Sequence, residues 1–370
     1  MAEVVRHEPP VYDERRAGYH NRTVNLECLL IADDFTGACD AAVHFARRGY
    51  RTHVRLDSHS EEASVLAISA DSRHLSAAEF RPLMDDLARR LPVAQARILF
   101  KKIDSTLRGN VGAEIAAALT AFGCDAAVIT PAFPAMGRTV EEGYLRVAAA
   151  EAIDLAARLR SQGLEACAHV QPGAVSAAIQ AGARFISADA TCDRDLDAIA
   201  SAGLESGRRI LWSGSAGLAS ALARTLPWGR SPACPRPAPR PASSVLFCIG
   251  SDHPVTVEQQ RRLLALGRSE HVVLSVTVGQ TSAERVRELI VNAAGAAGAL
   301  VLSGGDTASL VCRALGVRRI QLEDEIVAGI PWGYLSGGLF DRVRVATKSG
   351  GFGAPHALIQ VADFFTCTTP

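Results

Sequence analysis

Ile31-Ala32-Asp33-Asp34-Phe35-Thr36-Gly37 joins an apolar run that begins near Leu26 to a helical pattern carrying Ala41, Ala42, Val43 and Phe45. A strand that feeds directly into an amphipathic helix is the repeating unit of parallel α/β layers. Folds of that class collect their ligands just past the carboxyl ends of the strands, where these two aspartates fall. Capping the helix accounts for one of them. Two adjacent carboxylates at a strand end are costly unless something uses them, and one can accept a proton from a substrate hydroxyl or hold a divalent cation. Thr36 can cap the helix while offering its hydroxyl to a ligand.

Outward from this unit the same layering continues. Short β-branched runs predict strands near 26–32, 52–56, 65–69, 97–102, 126–130, 185–188 and 209–212, with helices filling most gaps. The pattern is then broken by Arg230 to Ser244, whose five prolines forbid helix and interior strand alike. Beyond it, strands are expected near 245–249, 272–276, 299–302, 319–322 and 342–346, with helices near 255–266, 282–294 and 308–315. The expected architecture is two three-layer α/β domains with largely parallel sheets, residues 22–229 and 245–370, joined by a stiff linker over 230–244. A loose tail covers 1–21, and ligands meet in the cleft between the domains.

The 370 residues carry 39 basic and 39 acidic side chains, so formal net charge is zero. Neutrality without a basic patch argues against nucleic acid or a membrane surface as partner and favours a small ligand. The nine cysteines form no C-x-x-C pair and no zinc spacing, and read as buried thiols in a reducing compartment. No apolar run approaches the roughly 18 residues of a membrane span, and none near the start has signal-peptide form. A cytoplasmic enzyme is expected, and proteins of this size are often symmetric homodimers.

Only three lysines accompany 36 arginines, and all three fall in loop-like, chemically rich stretches: Lys101-Lys102 and Lys348. A compact ammonium and a planar guanidinium are not interchangeable against a phosphate or carboxylate. Lys102 leads into Asp104, Ser105, Thr106, Arg108 and Gly109, a loop suited to a small polyhydroxylated anion: Arg108 can fork onto a carboxylate and Asp104 can take hydroxyl hydrogen bonds. A third loop, Thr130 to Thr139, uses two prolines and a glycine to present Arg138. The stretch after it, Gly143 to Arg146, is expected to run almost directly into a helix near 148–159.

In the second half, glycine-bearing segments recur at strand ends: Ile249-Gly250-Ser251, Ser303-Gly304-Gly305-Asp306-Thr307, and Thr347-Lys348-Ser349-Gly350-Gly351-Phe352-Gly353. Glycines let backbone N–H groups approach phosphate oxygens, and the helix after Thr307 aims its positive end at them. Neither a G-x-x-x-x-G-K-[ST] loop nor a G-x-G-x-x-G turn after the first strand is present, which disfavours Walker-type ATPases and ordinary dinucleotide dehydrogenases.

Taken in order, Asp33–Gly37, Lys102–Gly109, Pro131–Pro134 with Gly137-Arg138, Gly214–Leu218, Gly304–Thr307 and Lys348–Gly353 closely resemble the four-carbon acid sugar kinase family. The resemblance spans nearly the whole chain after about residue 26. It implies phosphorylation of threonate, erythronate or 3-oxo-tetronate from ATP with Mg²⁺, by an N-terminal substrate domain and a C-terminal nucleotide domain. It also implies that Asp33, Asp34, Asp104 and Arg108 line the acid-sugar pocket, to which the loops themselves add Thr36, Lys102, Ser105, Thr106 and Arg138 as candidates. Asp34 or Asp104 would accept the hydroxyl proton. Ser251, Gly304, Gly305, Asp306, Thr307, Lys348, Gly350 and Gly351 would hold ATP. An acid-sugar- and nucleotide-binding protein without transfer, or a kinase of another small hydroxy acid, is the alternative.

Overall fold

The computed structural model describes residues 25–56, 63–147, 150–164, 166–229, 241–276, 278–279, 281–294 and 298–367. The expected tail and most of the linker lie outside them.

A single 14-stranded sheet runs through both halves. From one edge its strands are His271–Ser275, Val245–Ile249, Ala299–Ser303, Arg344–Lys348, Ile330–Ser336, Arg319–Val327, Thr52–Arg55, Val65–Ser69, Cys28–Ala32, Ile98–Lys102, Ile210–Gly214, Ala126–Thr130, Phe185–Ala188 and Ala168–Val170. The eight strands from Thr52–Arg55 onward are mutually parallel, as are the first four. Strands such as Cys28–Ala32, Ala126–Thr130 and Ala299–Ser303 are buried along their whole length, as unbroken apolar runs covered by helices on both faces should be. The α/β class and the largely parallel sheets are as the sequence predicts.

The two halves join where Thr52–Arg55 pairs antiparallel with Arg319–Val327, in register Arg55↔Arg319 to Thr52↔Leu322. The helix Phe35–Arg47 lies at this seam, and every residue from Phe35 to Ala46 is buried. Its alanines allow close approach on all sides, which explains a helix without a solvent face. Arg47 at its end bridges the seam to Glu325 at 2.7 Å and Asp324 at 3.0 Å.

Three local expectations are revised. The strand expected to stop at Leu322 continues to Val327, turns at Gly329 (φ 77°), and returns as Ile330–Ser336. Bulges between Leu322 and Asp324 and between Glu325 and Val327 break the period-two pattern that would have revealed it. The helix expected near 148–159 begins only at Leu155, capped by the Asp154 carboxylate accepting from the Ala157 N–H at 2.8 Å. Ahead of it Arg138–Glu141, Tyr144–Val147 and Ile153–Asp154 form a small antiparallel sheet. Its tight turn at Glu142-Gly143 has positive φ at both residues, and both N–H groups donate to Asp189 at 3.0 Å. The lysines are the last residues of buried strands rather than loop residues.

All eight described cysteines are free; Cys192 and Cys367 are exposed, against the expectation that all are buried. Among the described residues no helix is long and apolar enough to cross a membrane.

Candidate active site

Register sets the floor of the site. Ala32 lies opposite Ser69 and Lys102, and Lys102 opposite Gly214, so the residues that follow these strands emerge together. In the other half Ser303 lies opposite Ile249 and Lys348, which brings the three glycine loops together in the same way.

In the first half, Asp34 caps the Phe35–Arg47 helix, accepting from the Gly37 N–H at 2.6 Å. The plain structural role thus falls to Asp34, yet a second partner engages both aspartates. Arg73 donates to Asp33 Oδ2 from Nε at 2.9 Å, and its Nη1 lies 2.8 Å from Asp34 Oδ2. Its Nη2 is 3.7 Å from Asp104 Oδ2. Sequence reasoning missed Arg73; the signal was its place just past the Val65–Ser69 strand, beside the strand that ends in the aspartates. Burial works against its charge, but Asp34, Asp33 and Asp104 together hold it firmly protonated.

The two proposed bases sit in different fields. Burial and then the neighbouring Asp33 charge push the Asp34 carboxyl above its ordinary range, against Arg73 and Lys102. Burial also works to raise Asp104. There it is overcome by Arg108, which donates from Nε at 3.0 Å and Nη2 at 2.5 Å, and by Arg73 and Thr106, so the carboxyl is held well below the usual range. Arg108 therefore spends one fork on Asp104 while its side chain stays 64% exposed. Ser105 is buried within the same turn. Lys102 donates to the Ile103 carbonyl at 2.9 Å and lies beside Gly37 and Asp34. Lys101 is wholly buried against Glu114 at 3.1 Å, and Glu114 in turn accepts from Ser72 beside Arg73, so this ion pair underpins the site from within.

In the second half, Ser251, Gly304, Thr307 and Gly350 converge. A Cβ on Gly250 would lie 2.1 Å from Thr307 Oγ1, and one on Gly350 would lie 2.2 Å from Ser251 Oγ. Gly304 has φ 107°, a conformation that glycine allows at the mouth of the Gly305–Ala314 helix. Gly351 lies against the imidazole of His253, which caps the Pro254–Ala265 helix. Lys348 is fully buried and its ammonium donates to Thr256 Oγ1 at 2.9 Å and to the carbonyls of Ser349, Gly350 and Phe352 at 3.0–3.3 Å. Burial pushes its pKa down to about 7. Those oxygens favour the charged form, and the lysine acts here as the clasp of the loop.

The loops of the two halves touch. Ser349 Oγ donates to Thr36 Oγ1 at 3.0 Å, and Arg313 on the Gly305–Ala314 helix pairs with Asp71 at 2.5 Å. Asp33, Asp34, Asp71, Arg73, His74, Gly305 and Asp306 enclose a cavity of about 60 Å³. Arg138, from the small sheet, stacks on Phe352 with its guanidinium carbon 4.9 Å from the ring centroid. By contrast, Gly214 and Gly217 are pressed on the carbonyls of Thr130 and Ala132, so that segment braces the Arg138 loop.

Gly305 packs directly on Asp34 across the seam. A Cβ there would stand 2.7 Å from Asp34 Oδ2 and 3.1 Å from its Cγ. Gly305→Ala should therefore displace Asp34, costing about 1–3 kcal/mol of stability and lowering kcat by at least about tenfold. Denaturant unfolding and steady-state kinetics measure the two effects. Wild-type kcat would show that Asp34 does not need this placement.

Two family models match the two halves of the chain. Residues 28–159 and 148–222 match the family model described as a sugar-binding N-terminal domain, and residues 240–358 match that of a nucleotide-binding C-terminal domain. The chain is 33% identical over 400 residues to a D-threonate kinase of Bordetella bronchiseptica, covering 90% of this chain and 96% of that one. It is 27% identical to a D-erythronate kinase of Heliobacterium modesticaldum, covering 91% and 96%. A 3-oxo-tetronate kinase of Cupriavidus necator is also 27% identical, covering 90% and 94%. A Salmonella typhimurium structure described as a putative tRNA synthase shares the fold, with TM-score 0.69, 22% identity and coverage of 92% and 100%.

Proposed function

From the chain's membership of the four-carbon acid sugar kinase family, we propose that it transfers the γ-phosphoryl group of ATP to the terminal hydroxyl of a small acid sugar such as threonate, erythronate or 3-oxo-tetronate. Residues 22–229 take the acid sugar and 245–370 the nucleotide. The observation that carries this reading is the contact of Asp34 with Gly305, which puts a carboxylate of the sugar-side half and a phosphate-type glycine loop on one cavity.

In-line phosphoryl transfer asks a protein mainly for positioning and charge stabilisation. Asp34 is the general base, because its raised carboxyl suits proton acceptance whereas Arg108 and Thr106 hold Asp104 low. Asp104 instead orients Arg108, whose outer face anchors the substrate carboxylate with Lys102 and Arg138. Arg73 keeps Asp33, Asp34 and Asp104 together and adds positive charge beside the transferring group. Ser251, Gly304, Thr307, Gly350 and Gly351 cradle the phosphates from the backbone, with the Gly305–Ala314 helix directed at them.

No group of three or more metal-binding side chains occurs among the described residues. Mg²⁺ needs only one or two carboxylates beside nucleotide phosphates. Asp33, whose Oδ1 is buried without a partner, and Asp306 on the same cavity fit that need and would hold it. When bound it supplies charge neutralisation between phosphate oxygens. We place the reaction in the cytoplasm and expect a homodimer.

The test is ADP release with Mg·ATP across three- to six-carbon acid sugars, including both enantiomers of threonate and erythronate and their oxo derivatives. Turnover that requires one acid sugar is the expected result. ATP binding with no acid-sugar-dependent turnover anywhere in the panel would overturn the proposed transfer.

A further inference from the structure

We propose that Phe352, a residue of the glycine loop on the nucleotide side, positions Arg138 for the carboxylate of the acid sugar, so that this loop also sets affinity on the sugar side. The inference rests on the acid sugar kinase reading and adds a residue that belongs, by chain position, to the other half.

Arg138 is the place to begin. Its Nε and Nη1 are buried and have no hydrogen-bond partner, although a guanidinium is among the most demanding donors in a protein. Burial works against its charge, while the carboxylates of Asp104 and Asp40 favour it. Asp40, on the Phe35–Arg47 helix, is itself only 2% exposed and leaves Oδ1 without a partner. Unsatisfied groups of both signs thus lie within electrostatic reach of one another and of Asp34 and Asp104. A ligand bearing a carboxylate beside a hydroxyl would satisfy both, the carboxylate accepting from Arg138 and the hydroxyl donating to Asp40. An acid sugar has that arrangement.

What holds the guanidinium in place is the ring of Phe352, stacked at 4.9 Å, a cation–π contact that leaves the edge N–H groups free to donate. The ring is itself fixed. It is 8% exposed and wedged over Gly329, where a Cβ would come within 2.5 Å of Cδ2. The Phe352 carbonyl accepts from Gln259 Nε2 at 3.0 Å and from Lys348 at 3.3 Å, and Gln259 also holds the carbonyls of Gly353 and Ala354. The Phe352 carbonyl is thus taken up by bonds within its own half, while its ring lies between Gly329 of that half and Arg138 of the other.

Phe352→Leu, which keeps apolar bulk but removes the π face, should raise KM for the acid sugar about 5- to 30-fold while KM for ATP stays within about twofold. Phe352→Tyr keeps the face and should keep both constants near wild type. KM for the neutral polyol that lacks the carboxylate should be equally poor for wild type and Phe352→Leu, a split that mere loosening of the loop would not produce. An unchanged acid-sugar KM in Phe352→Leu, or a rise confined to ATP, overturns the positioning role and leaves the kinase reading intact. Absence of acid-sugar-dependent ADP release in the wild type overturns the kinase reading, and this inference with it.

Discussion

Arg73→Ala should be the most damaging single change in the site, lowering both stability and turnover. The guanidinium touches Asp33 and Asp34 at 2.8–2.9 Å and approaches Asp104 at 3.7 Å. All three carboxylates are at least 90% buried by side chain, so its removal leaves like charges facing one another with little solvent to screen them. Breaking a buried pair in this way costs about 3–5 kcal/mol; Arg108 still holds Asp104 and Lys102 still faces Asp34, so the uncompensated charge falls on Asp33 and Asp34. Loss of a cation beside the transferring group should lower kcat/KM by about 10²–10³ as well. Denaturant unfolding reads the first effect and the ADP-release assay the second. Arg73→Lys should recover part of the stability, since charge is kept, but little of the activity, because an ammonium cannot span three carboxylates with a planar fork. Near-normal kcat/KM in Arg73→Ala would remove the residue from the machinery.

Asp34→Asn should separate catalysis from folding. Asparagine caps a helix about as well as aspartate, and relief of the repulsion with Asp33 offsets part of the lost Asp34–Arg73 pair, so stability should fall less than in Arg73→Ala. If Asp34 takes the hydroxyl proton, kcat should drop by about 10²–10⁴ with both KM values nearly unchanged. The pH profile adds a sign. A general base must be deprotonated, so wild-type kcat should fall as pH drops through the Asp34 pKa, and that limb should lie above the ordinary carboxylate range because burial and Asp33 raise it. Asp34→Asn should lose the limb, and Asp104→Asn should retain it. The reverse pattern would exchange the two roles.

The strand-to-helix units were legible because strands covered on both faces read as apolar runs and because their ends carry the polar residues of the site. Cys28–Ala32 followed by Asp33-Asp34 is the plainest case. The Arg319–Ser336 hairpin was only half legible, since its bulges and partly exposed residues break the alternation that marks a strand. Arg73 was hidden for another reason. Its role depends on which strand lies beside Cys28–Ala32, and a sequence of alternating elements does not state the order of strands in the sheet. Lys348 illustrates a third limit: its residue type is right for phosphate, but carbonyls of its own loop surround the ammonium. Phe352 and Asp40 could not have been singled out, because apolar and acidic residues at those positions look like ordinary core and helix residues until Arg138 is seen beside them.

The proline-rich segment read as a stiff linker is not what alone joins the halves, since a ladder joins Thr52–Arg55 to Arg319–Val327. The covalent tether between the halves and their mechanical coupling are therefore different parts of the molecule. A ladder resists being pulled apart along its hydrogen bonds but yields to torsion, the deformation that twisted sheets already contain. Any turning of one half against the other must therefore work on that ladder, and on the Arg47–Glu325 and Asp71–Arg313 pairs that cross the same seam.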